Sequence, residues 1–212
     1  MSRFYWLYGL MLLFAAWLAR VTYCPSLFSQ PPTQARLIWP LAAAVGVAVF
    51  VVGGGRLLEQ VPWYRDMAQL FKRLLSDPEL LGPDGLRDHA FTIGVYSAVG
   101  EEAFFRGWLQ PFLIARIGDW ILAPGGLLAT GLGIVVASLI FGLVHFPAVK
   151  ELRPWTVFAV LAGAVFGVLA AWSGCLLAPV AAHFLINWLN LRRLAALPLS
   201  SDTSPPQPSS TA

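Results

Sequence analysis

Long apolar runs broken by short polar stretches dominate the chain. Six such runs can be read, at about 4–21, 37–52, 90–114, 120–146, 155–172 and 176–194. A membrane-spanning helix needs ~20 residues at 1.5 Å rise. Each run is long enough or nearly so, and the second is the shortest. The pattern predicts an all-α fold: a polytopic membrane helical bundle of about six transmembrane helices.

The stretch 53–88 is the longest polar break. Within it Leu57, Leu58, Val61, Trp63, Met67, Leu70, Phe71 and Leu74 recur at three- and four-residue steps, with Arg65, Lys72 and Arg73 between them. That spacing predicts one or two amphipathic helices, either on the cytoplasmic membrane surface or packed on the bundle. Ser76-Asp77-Pro78-Glu79 and Gly82-Pro83-Asp84-Gly85 read as loop. Residues 198–212, rich in Pro, Ser and Thr, predict a disordered cytoplasmic tail. The expected organisation is a single membrane-embedded domain over 1–197, without an internal repeat. The first run could also be a signal peptide. Arg20, Val21 and Tyr23 stand where a cleavage site would place small residues, which favours an uncleaved span.

Composition strengthens the membrane reading. The chain is 58% hydrophobic and 12% charged, with a mean hydropathy of +0.68, against about 25% charged in soluble domains. A dispersed net charge of +3 gives no footprint for a nucleic-acid partner. The two cysteines form no CxxC pattern, which argues against a thiolate zinc site. Six spans put both termini on the side of Arg3, Arg56, Arg65, Lys72, Arg73, Arg87, Lys150, Arg153, Arg192 and Arg193. Only Arg20, Arg36 and Arg116 fall on the other side, and Arg106 is intramembrane. This bias predicts cytoplasmic termini. Cys24 and Cys175 would then both face outside, where a disulfide between them can form in an oxidising compartment.

The chemistry should lie in the few polar groups inside apolar runs, because an ionisable side chain at mid-bilayer is costly and usually functional. Glu101 and Glu102 are adjacent, and Arg106 follows four residues after Glu102, on the same helix face. Glu102 and Arg106 can pair, whether to fix helix packing or to support a site. Glu101 points about 100° away and is left as the unpaired, more reactive carboxylate, suited to general acid–base work. His145 ends Phe141-Gly142-Leu143-Val144-His145, where Gly142 allows close helix approach. It is either an interfacial or a functional histidine. His183 and Asn187 are four apart and share a face. They suit either an oxyanion hole or plain interhelical hydrogen bonds. Counted from the cytoplasmic edge, Glu101, His145 and His183 lie at unequal depths. Tilt, or a third helix that begins below that edge, would bring them level, in a chamber open to the cytoplasm.

Glu101-Glu102-Ala103-Phe104-Phe105-Arg106 resembles the EExxxR motif of the CAAX-protease and bacteriocin-processing (CPBP or Abi) family of intramembrane proteases. Phe141 to His145 resembles its FxxxH motif, and His183 to Asn187 its HxxxN motif. The ordered set covers about 90–195, the protease-like core. The resemblance implies a helical bundle around a conical chamber and peptide-bond hydrolysis within the membrane. It implies that Glu101 and His145 activate water, that His183 and Asn187 hold the oxyanion, and that Glu102 and Arg106 support them.

On this basis the chain is expected to be an intramembrane endopeptidase without a cofactor. A zinc-dependent protease with Glu101, His145 and His183 as ligands is the alternative. A non-catalytic membrane peptide-binding or immunity protein is a second alternative. A transporter is disfavoured by the lack of a repeat. The expected partners are the lipid bilayer and a membrane-associated peptide or protein, lipidated or not. The compact chain suggests a bacterial inner membrane.

Overall fold

The computed structural model describes residues 2–22, 34–77, 85–121 and 124–198, and no strand occurs among them. In chain order the helices are α1 (Ser2–Val21), α2 (Gln34–Leu58), α3 (Pro62–Leu75) and α4 (Gly85–Phe104). A π-helical turn (Phe105–Leu109) joins α4 to α5 (Gln110–Trp120). Then come α6 (Leu127–Val144), a 3-10 turn (Lys150–Leu152), α7 (Pro154–Ser173) and α8 (Leu177–Ala196). The six apolar runs correspond to α1, α2, α4 with its continuation, α6, α7 and α8. Among the described residues, three stretches are long and apolar enough to cross a membrane: Leu37–Leu58, Leu127–Val144 and Lys150–Ser173. The apolar stretch Trp6–Val21 is shorter. The chain is an integral membrane protein.

Several boundaries moved. Trp120 ends α5 instead of opening the fourth span, which starts at Leu127. The second span runs past Val52 to Leu58, into the stretch read as loop. The third run is helical without interruption from Gly85 to Trp120, roughly 50 Å at the helical rise, longer than a ~30 Å hydrocarbon core. Cys24 and the tail from 199 onward lie outside the described residues; Cys175, its expected disulfide partner, is a buried free cysteine.

The π turn sits immediately before Pro111. Proline has no N–H to give the carbonyl four residues back, and its ring crowds that carbonyl. One wider turn, in which the Gln110 N–H reaches the Phe105 carbonyl, absorbs the misfit without breaking the helix.

The helices pack through small residues, since lipid supplies no hydrophobic drive for helix association. A Cβ on Gly142 of α6 would run into the Val160 side chain of α7 and lie 3.1 Å from the Thr156 carbonyl. Gly133 plays the same part against Ile114 of α5. Gly142→Ala is therefore expected to cost about 1–3 kcal/mol through overpacking, read as a lower midpoint of thermal unfolding in detergent. At the far end of α7, Gly174 (φ 66°) adopts the left-handed conformation that closes the helix.

The amphipathic segment is helix α3, and it packs on the bundle. Lys72 is buried and its Nζ donates to the Ala195 carbonyl (3.1 Å) and to the Leu197 carbonyl. Gln69 Nε2 donates to the Pro198 carbonyl at 2.9 Å. The free carbonyls at the end of α8 are thus satisfied by a cation from α3. Nearby, Arg193 of α8 donates to Glu59 (Nε–Oε1 2.7 Å) and to the Gly55 carbonyl (2.6 Å), tying α8 to the end of α2. Together these contacts close one end of the bundle, the end that carries most of the basic residues.

Candidate active site

Antiparallel packing of α4 against α8 sets up the site. Gly94 lets Trp188 and Phe184 approach α4, with a notional Cβ only 3.3–3.4 Å from them. One helical turn further along α4, Ser97 accepts a hydrogen bond from Asn187 Nδ2 at 3.0 Å. One turn further again lie Glu101 and Glu102, opposite His183.

Glu102 and Arg106 form the expected pair: Nη1 lies 3.1 Å from Oε1, and both side chains are 0% exposed. The same Oε1 receives His183 Nδ1 at 2.8 Å. Arg106 also donates through Nη2 to the Gly163 carbonyl at 2.8 Å. Its guanidinium lies over the Phe141 ring, 4.6 Å from the centroid. Four residues on, Gln110 repeats the pattern by donating to the Gly167 carbonyl at 3.0 Å. Arg106 and Gln110 therefore form two rungs onto a glycine-lined face of α7. A Cβ on Gly163 would come 3.2 Å from Arg106 Nη2, and one on Gly167 2.7 Å from Gln110 Oε1. Hydrogen bonds to these carbonyls offset part of the cost of burying a guanidinium.

Glu101 is not isolated, as the sequence reading had it. Its Oε2 lies 3.6 Å from His145 Nε2 and 3.8 Å from His183 Nε2. Tyr8 of α1 also interacts with its carboxylate. What the sequence did foresee is that no arginine pairs with it directly. Both histidines are fixed from behind: His145 Nδ1 meets the Phe141 carbonyl at 2.7 Å, and His183 Nδ1 is bound to Glu102. With Nδ1 donating in each ring, Nε2 is the atom left to face Glu101. The Phe166 ring stacks on His183 (centroids 4.9 Å, 16°), and Phe141 lies 4.6 Å from His145, ring to ring.

These groups form one end of a cavity of about 260 Å³. Glu101, His145, His183, Asn187 and Ser97 supply its polar part. Tyr64, Met67, Phe71, Trp155 and Phe158 make the rest apolar and aromatic, with α3 as its cover. Glu102 and Arg106 lie behind the wall. A group of three or more His, Cys, Asp or Glu side chains placed to hold a metal ion does not occur among the described residues. Glu101, His145 and His183 come nearest. They share a single carboxylate oxygen set 3.6 and 3.8 Å from the ring nitrogens.

Residues 88–189, which hold all seven motif residues, match the model of the family described as type II CAAX prenyl endopeptidase Rce1-like. Across this stretch, just under half of its length, the chain is similar to that family. The uncharacterized protein YpbD of Bacillus subtilis (strain 168) is 38% identical over 101 residues. That match covers 47% of this chain and 42% of YpbD, so the shared part is less than half of either protein. No solved structure matches the chain.

Three contributors to the site escaped the sequence reading. Tyr8 comes from α1, far from the motifs and without a local pattern to mark it. Ser97 precedes Glu101 by four residues and so shares its face, a signal that was present. Gln110 follows Arg106 by four residues, and Gly163 and Gly167 are also four apart. Two matched i, i+4 pairs on neighbouring helices were legible as a polar seam.

Proposed function

We propose that this protein is an intramembrane endopeptidase in which Glu101 activates water for attack on a peptide bond. The observation that carries the reading is the arrangement around Glu101. One carboxylate oxygen faces two imidazole nitrogens, each ring pinned at its other nitrogen, at the inner end of an apolar-walled chamber. Separations of 3.6 and 3.8 Å are too long for direct hydrogen bonds and suit a water shared between the groups.

In the reaction Glu101, assisted by His145, takes a proton from that water. The hydroxide adds to the scissile carbonyl carbon. His183 Nε2, when protonated, and the second N–H of the Asn187 amide donate to the oxyanion that develops. The tetrahedral intermediate collapses with cleavage of the C–N bond, and the proton held by Glu101 passes to the leaving amine. Glu102 and Arg106 do not touch substrate; they hold His183 in place. The buried, low-dielectric surroundings strengthen each of these interactions.

The substrate is a membrane-associated peptide or protein. The aromatic and aliphatic upper wall suits an apolar segment, and the matched family is described as a CAAX prenyl endopeptidase. The chain would lie in a bacterial inner membrane with both termini cytoplasmic, as the distribution of Lys and Arg supports.

The reading assigns the chemistry to side chains alone. In the zinc alternative Glu101, His145 and His183 would hold the ion, which would supply a bound water as nucleophile. On the side-chain reading, peptide cleavage by the purified protein is expected to persist after exhaustive chelation. Loss of activity that zinc restores would reinstate the metal.

Membrane fractions from cells expressing wild-type protein or Glu101→Gln provide the main test. Protein termini should be present with wild type and absent with the variant. An identical set of termini, with both proteins folded and present in equal amount, would favour a peptide-binding or immunity role.

A further inference from the structure

Tyr8 lies outside the family-matched residues, yet it lines the chamber beside the reacting groups. It reaches them through a gap that the sequence provides. A Cβ on Gly100 would lie 3.0 Å from both Tyr8 Cβ and Cδ1, and 3.1 Å from the Tyr8 carbonyl oxygen. Only glycine next to Glu101 lets α1 lie this close to α4. The approach is fixed further along both helices. Phe14 stacks on Phe104 with centroids 6.3 Å apart, and Trp108 Nε1 donates to Thr22 Oγ1 at 3.3 Å. From this position Tyr8 interacts with the Glu101 carboxylate, and the two side chains share the chamber wall. Glu101 Oε2, the oxygen that faces both histidines, has no hydrogen-bond partner.

We propose that Tyr8 is a positioning residue that anchors Glu101 through Oε1, so that Oε2 stays turned toward the histidines and the attacking water. The proposal rests on the proteolytic reading above. It gives α1 a part in the reaction, although that helix carries none of the family motifs. A free glutamate side chain has three rotatable bonds and a carboxylate that can present either oxygen. The hydrogen bonds at Nδ1 hold both histidines, but they do nothing to orient Glu101. The tyrosine hydroxyl supplies that restraint from the side of α1. A tyrosine suits this task because its ring packs across Gly100 while its hydroxyl donates.

The test is Tyr8→Phe, which keeps the ring on Gly100 and removes only the donor. It is compared with wild type and Glu101→Gln in detergent micelles. The substrate is a synthetic peptide spanning the cleavage site found in the membrane-fraction comparison. Tyr8→Phe should lower kcat roughly tenfold or more, as expected for losing a hydrogen bond to a charged group. KM and the thermal midpoint should not change, whereas a merely structural role would move the midpoint. Infrared difference spectra give a readout that needs no substrate. The carboxylate band that Glu101→Gln removes should shift in Tyr8→Phe. Full kcat in Tyr8→Phe, or a Glu101 band that does not move, overturns the proposal. If Glu101→Gln itself cleaves normally, the proteolytic reading fails instead, and the band shift alone decides whether Tyr8 holds Glu101.

Discussion

Replacing Arg106 by methionine is expected to destabilise the protein by about 3–5 kcal/mol, the cost of leaving a buried charge without its partner. Glu102 would keep only His183 at Oε1, and its Oε2 already has no hydrogen-bond partner. The Gly163 carbonyl would lose its donor as well. Equilibrium unfolding in mixed micelles would read the change. Arg106→Met combined with Glu102→Gln should recover much of the loss, because it removes the stranded charge. A single Arg106→Met that unfolds like wild type would mean that the ion pair is not what holds α4, α7 and α8 together.

The second large effect is on rate. His145→Gln and His183→Gln are each expected to lower kcat by roughly 10²–10⁴-fold, the range for removing a group that moves or stabilises a proton or charge in the transition state. The two should differ in stability. His145 makes one hydrogen bond at Nδ1, to the carbonyl that ends its own helix, so its loss should leave unfolding nearly unchanged. His183 bridges two helices through Glu102 and stacks on Phe166, so its loss should also lower the unfolding midpoint. Equal stability of both variants would deny His183 its structural link to Glu102.

The sequence made the helices and the motif residues legible for different reasons. α6 and α7 are apolar on every side, so length alone marked them. Arg106 was readable as the partner of Glu102 because i, i+4 spacing is a property of one helix. The environment of Glu101 was not readable in that way. Tyr8, His145 and His183 come from three other helices, and their meeting depends on how those helices pack, with Gly100 admitting Tyr8. Periodicity carries no information about which helix faces which. The choice between a surface-lying and a docked α3 was open for the same reason. Lys72 looked like a solvated or headgroup-facing cation, and only the end of α8 reveals that it caps carbonyls at Ala195 and Leu197. The helix boundary misplaced at Trp120 reflects an aromatic residue that suits either end of a span.

The central claim is that Glu101 turns a water molecule into the nucleophile. Its most direct measurement is cleavage of the identified peptide in ¹⁸O-labelled water by purified protein, followed by mass spectrometry of the product. Wild-type protein should place labelled oxygen in the new C-terminal carboxyl group, and Glu101→Gln should give no product above background. Labelled product formed by Glu101→Gln at the wild-type rate would contradict the account.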